Sequence, residues 1–443
     1  MRPVIAALLL SATGLTLTGC RAHPPPVSPT AAGLNVRDLV DPAAQAEAED
    51  LNPPDQLAIL GERLRVERKA GSADRPPRHV LCLSGGGAFG AFSAGVLVGW
   101  TGRGDRPTFD VVTGVSTGAL IAPFAFLGPE YDPTITDLYT TIRTRDLYRL
   151  RLLTALLGES FADNRRMAAR VDAAISPAVT AAIAAAHRAG RRLYVGTTEQ
   201  EGKQFVVWDV GAIAAGDAAG GRELIVQILL GSAAPPGFFP AAEIGVTVDG
   251  VRRVERHTDG GVSQSIFFRP PYVPPEARSD PAARDLAGTR VYAVVAGKLY
   301  ADPEAIRPRA ISQASKNVAA TVYAQTRRNL QQVYADCVVA GMDYHLAAIP
   351  PGYPAPRSSL EFRPAVMVPL FEEGRRVGGS AAAWRTLPPG AGPGEGPLAR
   401  AGTALTHRPR GPAQPVLGPD RLIRPPASDR GGIPAVPREA AVK

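Results

Sequence analysis

The sequence predicts an α/β fold, a mostly parallel central sheet flanked by helices on both faces. Three observations predict it. Short apolar runs alternate with longer Ala-rich stretches, the pattern of strand–helix units whose sheet is covered on both sides. Two of the apolar runs end in glycine-rich turns, where strand-to-helix crossings need tight backbone. Hydrophobic residues make up 45% of the 443 residues and charged residues 20%, enough to bury a core.

The two ends of the chain read differently from the middle. Arg2 is followed by an apolar run from Ile5 to Leu17, too short to span a bilayer as a stable helix, so residues 1–19 read as a secretory signal. Leu17-Thr18-Gly19-Cys20 resembles a bacterial lipobox, which makes Cys20 the lipidated first residue of the mature chain. Arg21 rather than Asp follows it, which favours the outer membrane, facing the periplasm. Residues 20–78, with Pro24-Pro25-Pro26, read as a lipidated linker. Residues 387–443 read as a disordered tail, because Pro and Gly exceed a third of the composition from Pro388 onward.

Between them the elements follow in order. His79 to Leu83 is an apolar strand, Ala91 to Trp100 a helix, and Phe109 to Thr113 a second strand. Ala119 to Leu127 reads as a helix bent at Pro123, and Met167 to Ala186 as one long Ala-rich helix. Arg192 to Thr197 and Gln204 to Asp209 read as strands; Glu223 to Leu230 fits helix or strand equally. Val291 to Ala296 is a strand, a helix runs around Ile311 to Val333, and Tyr344 to Ala348 is a final strand. The division is a main α/β domain over 79–272 and an α/β extension over 273–386 packed on it.

Composition excludes several functions. Three Cys cannot build a disulfide-dense scaffold or a four-Cys zinc site, and no metal-ligand cluster is visible. Cys82 and Cys337 could pair in an oxidising compartment, or stay buried as thiols. Half of the formal charge of +8 lies in the tail, which argues against a nucleic-acid groove.

Three motifs carry the chemistry. Ser84-Gly85-Gly86-Gly87-Ala88-Phe89-Gly90 follows a strand and opens a helix, so its backbone N–H groups suit an anion. Gly85, Gly87 and Gly90 match a dinucleotide fingerprint, but the same turn could hold the oxyanion of acyl transfer. Gly114-Val115-Ser116-Thr117-Gly118 has the strand–turn–helix setting of a nucleophile elbow. A right-handed crossover brings both motifs to one edge of neighbouring parallel strands. The dinucleotide reading needs an acidic residue at the end of the second strand; Gly114-Val115-Ser116 stands there, and Asp110 sits at the other end. The oxyanion reading is therefore the better one. Thr258-Asp259-Gly260-Gly261 presents a carboxylate on a sharp bend.

In this order, over roughly 79–270, the three motifs resemble the patatin-like phospholipase family, and Ser232 to Pro240 resembles a further family segment. The resemblance implies a Ser–Asp dyad without histidine: Ser116 as nucleophile, Asp259 as proton acceptor, and Gly85, Gly86 and Gly87 as the oxyanion loop. It implies no metal or cofactor, and a membrane lipid, a phospholipid or lysophospholipid, as substrate. One departure is Phe89, where many members carry Lys or Arg. An unperturbed Asp is a weak base, so a dry pocket that raises its pKa is expected. Phe89, Phe92, Phe124 and Phe126 are candidate walls for an acyl chain. A Ser–His–Asp triad through His257 or His345, and an envelope lipoprotein that only binds lipid or a partner, are the alternatives.

Overall fold

The computed structural model describes residues 77–395, apart from 151–158, 217–219, 249, 281–283, 303–309, 356–357 and 393–394. By contacts the chain divides into two units, and every described residue belongs to the larger, Glu49–Asp302 with Ile306–Pro397. The signal segment 1–19, Cys20, residues 20–76 of the linker and most of the tail lie outside the described residues.

β1 (His79–Leu83) turns through the glycine motif into α1 (Gly90–Arg103). β2 (Val111–Val115) leads into α2 (Thr117–Leu127), which runs through Pro123. Then come α3 (Asp132–Thr140), α4 (Thr144–Leu147), and the small strands β3 (Arg149–Leu150) and β4 (Ala162–Asp163). α5 (Arg165–Ala174) and α6 (Pro177–Arg188) precede β5 (Arg192–Glu199), β6 (Gln204–Asp209), α7 (Val210–Ala215) and α8 (Gly221–Ser232). A hairpin of β7 (Ala242–Val248) and β8 (Val251–Asp259) follows. β9 (Arg290–Val295), α9 (Ala310–Ala340), β10 (Asp343–Ala348) and α10 (Pro364–Gly378) complete the described chain.

The main sheet runs β10-β9-β1-β2-β5-β8-β7, with β6 also on β5. The first five of these strands are parallel, and β6, β7 and β8 are antiparallel additions. Alternation along β1 sorts its side chains to two cores. Leu81 and Leu83 face a core shared with α1, α2 and α10, whereas Val80 and Cys82 face one closed by Leu330, Val333 and Cys337 of α9. This is a three-layer α/β sandwich.

Three sequence expectations change and one open reading is decided. The stretch Met167 to Ala186 is two helices. Pro177 has no N–H to continue the first, and the Ser176 hydroxyl caps the second by accepting from Val179 N–H at 3.3 Å. Glu223 to Leu230 is helical. The segment after residue 273 does not merely pack on the catalytic layer: β9 pairs in parallel with β1, Val80 opposite Val291. The ordered chain also extends into the expected tail. Arg385 pairs with Glu395, and Gln331 donates to the Pro389 carbonyl at 2.8 Å. α10 was not foreseen. It crosses α1 at backbone distance through Gly95 and Gly99 on one helix and Gly374 and Gly378 on the other; a Cβ on Gly378 would lie 2.0 Å from the Val96 carbonyl oxygen.

Candidate active site

Ser116 stands between β2 and α2 with φ 54° and ψ −123°, a conformation that costs a non-glycine residue about 1–3 kcal/mol. Tight packing imposes it. A Cβ on Gly114 would lie 2.5 Å from the Gly118 carbonyl oxygen, and one on Gly118 2.4 Å from that of Leu83. The Ser116 N–H donates to the Ser232 hydroxyl at 3.0 Å, which in turn donates to the Gly196 carbonyl on β5 at 2.7 Å. The Ser116 carbonyl caps α2 by accepting from Ala119 and Leu120, so the positive end of that helix lies beneath the hydroxyl.

Sheet register brings Asp259 to this hydroxyl. β5 pairs with β6 along one edge. Its other edge pairs with β2 as far as Val115 opposite Gly196, and then with β8 from Asp259 opposite Thr197. The ends of β2 and β8 therefore meet head to head. Ser116 Oγ donates to Asp259 Oδ2 at 2.6 Å. Asp259 Oδ1 accepts from Gly261 N–H at 2.8 Å, and its own N–H donates to the Ala234 carbonyl. Gly260 packs on β5, where a Cβ would lie 2.5 Å from the Gly196 carbonyl oxygen. Burial pushes the Asp259 carboxyl up to about 6, against the opposing pull of the Ser116 and Gly261 hydrogen bonds.

The glycine turn passes over the hydroxyl: a Cβ on Gly85 would lie 3.1 Å from Ser116 Cβ. The three expected oxyanion donors are not equivalent. Gly85 N–H already donates to the Ser265 carbonyl at 3.0 Å, which removes it from the set. Among the described residues, Gly86 and Gly87 N–H have no protein acceptor. Gly86 has φ 158° and Gly87 φ 55°, and the turn is wedged between Ala296 and Ser359. Ala88 N–H, the next donor, is taken by the Ser359 carbonyl at 2.7 Å. Gly90 lies against Thr117 and Tyr139.

Ser116 and Gly87 open into a cleft of about 900 Å³, its mouth and open solvent included. Its walls are chiefly apolar, among them Leu120, Phe124, Ile175, Leu229 and Phe239. Of the four expected aromatic walls only Phe124 lines it. Phe92 and Phe126 are buried in the core, and Phe89 packs on that core from its edge. Residue type did not separate these roles because α1 and α2 are buried on nearly all sides. Tyr139, Tyr148, Leu360 and Phe362 also line the cleft; they are tertiary neighbours with no local motif.

Neither histidine touches the hydroxyl. His257 Nδ1 meets Thr197 Oγ1 at 2.9 Å, its Nε2 faces Glu255 at 3.3 Å, and its ring packs on Trp208. Burial lowers its pKa. His345, in β10, stacks on Tyr292 of β9. Cys82 and Cys337 are free thiols on the α9 side of the sheet, and burial pushes Cys82 up to about 12. Among the described residues no group of three metal-ligating side chains occurs, and no single helix is long and apolar enough to cross a membrane.

The family model for patatin-like phospholipases matches residues 81–272, which include Ser116, Asp259 and all three motifs. Solved structures that match include VipD from Legionella pneumophila, at 12% identity and a TM-score of 0.33. That match covers 68% of this chain and 66% of VipD, just under two thirds of the latter's length. No curated protein matches the sequence.

Proposed function

Residues 81–272 are a patatin-like phospholipase domain, and on that premise we propose that the protein is a serine acyl hydrolase of phospholipase A or lysophospholipase type. Its substrates are carboxylic esters of membrane lipids. The observation that carries the reading is the 2.6 Å contact between Ser116 Oγ, which lines an apolar cleft, and a buried Asp259 carboxylate.

The chemistry follows from the geometry. An acyl chain fills the cleft and sets its ester carbonyl between Ser116 and the glycine turn. Asp259 takes the hydroxyl proton as Ser116 Oγ attacks the carbonyl carbon. The N–H groups of Gly86 and Gly87 hold the oxyanion, each worth about 2.7–4 kcal/mol of transition-state stabilisation. The tetrahedral intermediate collapses, and the lipid alcohol leaves with the proton held by Asp259. Water, giving a proton to the same carboxylate, then cleaves the acyl-enzyme. A carboxyl at about 6 is a better base than an ordinary Asp and is still ionised at neutral pH. Cys20 lipidation would place this cleft at the outer membrane, facing the periplasm. A diacylglyceryl group and an amide-linked chain bury enough methylenes for stable anchoring, at about 0.8 kcal/mol each.

The test is hydrolysis of a p-nitrophenyl ester and of phospholipid vesicles by the purified protein, with Ser116→Ala beside it. Activity in the wild type and none in the variant is expected, and mass spectrometry of the products gives the acyl position. An inert wild type on both substrates would leave a lipid-binding envelope protein instead.

A further inference from the structure

A second cleft, about 1250 Å³ with its mouth, opens beside the acyl cleft and shares Tyr148, Leu360 and Phe362 with it. Its two walls, around 143–148 and 358–365, are laced together. Thr144 N–H donates to the Phe362 carbonyl at 2.7 Å, Phe362 N–H donates to Thr144 Oγ1 at 3.0 Å, and Tyr148 OH donates to the Leu360 carbonyl at 2.7 Å. The second wall begins at the glycine turn, where Ser359 holds Ala88. Arg363 lies four positions beyond Ser359, at most about 14 Å of extended chain. A long Arg side chain can fold back over part of that span. The oxyanion turn and this cleft thus lie within reach of a single lipid molecule.

Charge in the two clefts is lopsided. The second cleft is lined by Arg143, Arg145 and Arg363 against one carboxylate, Glu361. Arg363 pairs with Glu361 at 2.8 Å, and Arg145 has only Asp146 at 3.9 Å. Among the residues lining the acyl cleft, Arg170 alone is charged. The guanidinium groups of Arg143 and Arg170 have no carboxylate partner among the described residues, although the Arg143 backbone N–H donates to Asp146 at 3.0 Å. Planar guanidinium groups match phosphate oxygens in a way an ammonium does not.

Resting on the hydrolase reading, we propose that Arg143, Arg145 and Arg363, with Arg170 at the acyl wall, bind the phosphodiester of the lipid being cleaved and favour net-anionic over zwitterionic headgroups. The phosphate sits in the second cleft while the chain of the scissile ester fills the first. A headgroup ammonium would meet the same cations and be repelled.

Short-chain lipids dispersed as monomers test this, because a monomer has no membrane surface to attract. The full chain is assayed on dihexanoyl phosphatidylglycerol, dihexanoyl phosphatidylcholine and a neutral p-nitrophenyl ester. The wild type is expected to favour phosphatidylglycerol in kcat/KM. In the triple variant Arg143→Gln, Arg145→Gln, Arg363→Gln that preference should fall about tenfold, as the loss of several exposed charge contacts gives. Rising NaCl should erode it in the wild type too, through screening, and this series decides the matter if the variant does not fold. A preference unmoved by salt and by the substitutions would overturn the proposal. So would a preference seen only on vesicles, which would make the cations a membrane-surface feature. Neutral-ester hydrolysis with no headgroup preference sinks the subsite alone, whereas a wild type inert to all three esters sinks the hydrolase reading with it.

Discussion

Replacing Asp259 by Asn should stabilise the fold while removing its activity. The carboxyl is raised from 3.8 to about 6, chiefly by burial. Between those values the folded chain keeps a proton that the unfolded chain has released, so stability falls as pH rises through this window. The full penalty is present above about 6. A gap of roughly two pKa units at 1.36 kcal/mol each gives about 3 kcal/mol. Asn is neutral throughout and fits the same contacts: its oxygen can accept from Gly261 N–H and its amide can donate to Ser116 Oγ. Denaturant unfolding of wild type and Asp259→Asn at pH 4 and pH 7.5 isolates the effect, since other groups titrate alike in both. The variant should gain about 2.5 kcal/mol on the wild type over that span while ester hydrolysis falls at least ~100-fold. A stability difference flat with pH would refute the claim that this carboxylate is held charged in a dry site.

Three further outcomes follow from the same geometry. In the wild type, kcat/KM should rise about tenfold per pH unit below about 6 and level off above it; near-total loss of hydrolysis in His257→Asn would make imidazole the base. Ser232→Ala strips the partner from Ser116 N–H and from the Gly196 carbonyl, so kcat should fall about 10–100-fold, the equivalent of ~1–3 kcal/mol, with KM little changed; steady-state kinetics on a p-nitrophenyl ester read this. Gly87→Ala would put a Cβ 2.2 Å from the Ser359 carbonyl oxygen at φ 55°, and should cost more than ~100-fold in kcat by displacing the turn and its donors, measured in the same assay.

What was legible in the chain was mostly local. The elbow could be read because its two glycines answer a steric need that shows in sequence: Gly118 must clear β1, and Gly114 must clear Gly118. The α/β class was legible for the same reason, since strand and helix periodicities are short-range. The approach of Asp259 to Ser116 has another origin. It depends on β8 abutting β2 along β5, a register spanning 143 residues that no local pattern encodes. The Gly85 donor was misread because its competitor, the Ser265 carbonyl, arrives from a distant turn. Ser232 stood in a segment noted for its resemblance, yet its hold on the elbow needed β5 in place. The wall around 358–363 carried no sequence signal at all. It is held by Ala88, Thr144 and Tyr148 and runs into α10, whose docking glycines at 374 and 378 had meaning only against those of α1.

The central claim is that Ser116 Oγ is the attacking atom. Treatment with an alkyl fluorophosphonate, followed by peptide mass mapping, tests it directly: the serine oxygen bonds to phosphorus and fluoride leaves. One stable phosphonyl adduct on the peptide containing Ser116 is expected, with ester hydrolysis lost in proportion and no adduct in Ser116→Ala. Hydrolysis that survives full treatment, or an adduct on a different serine, would contradict the account.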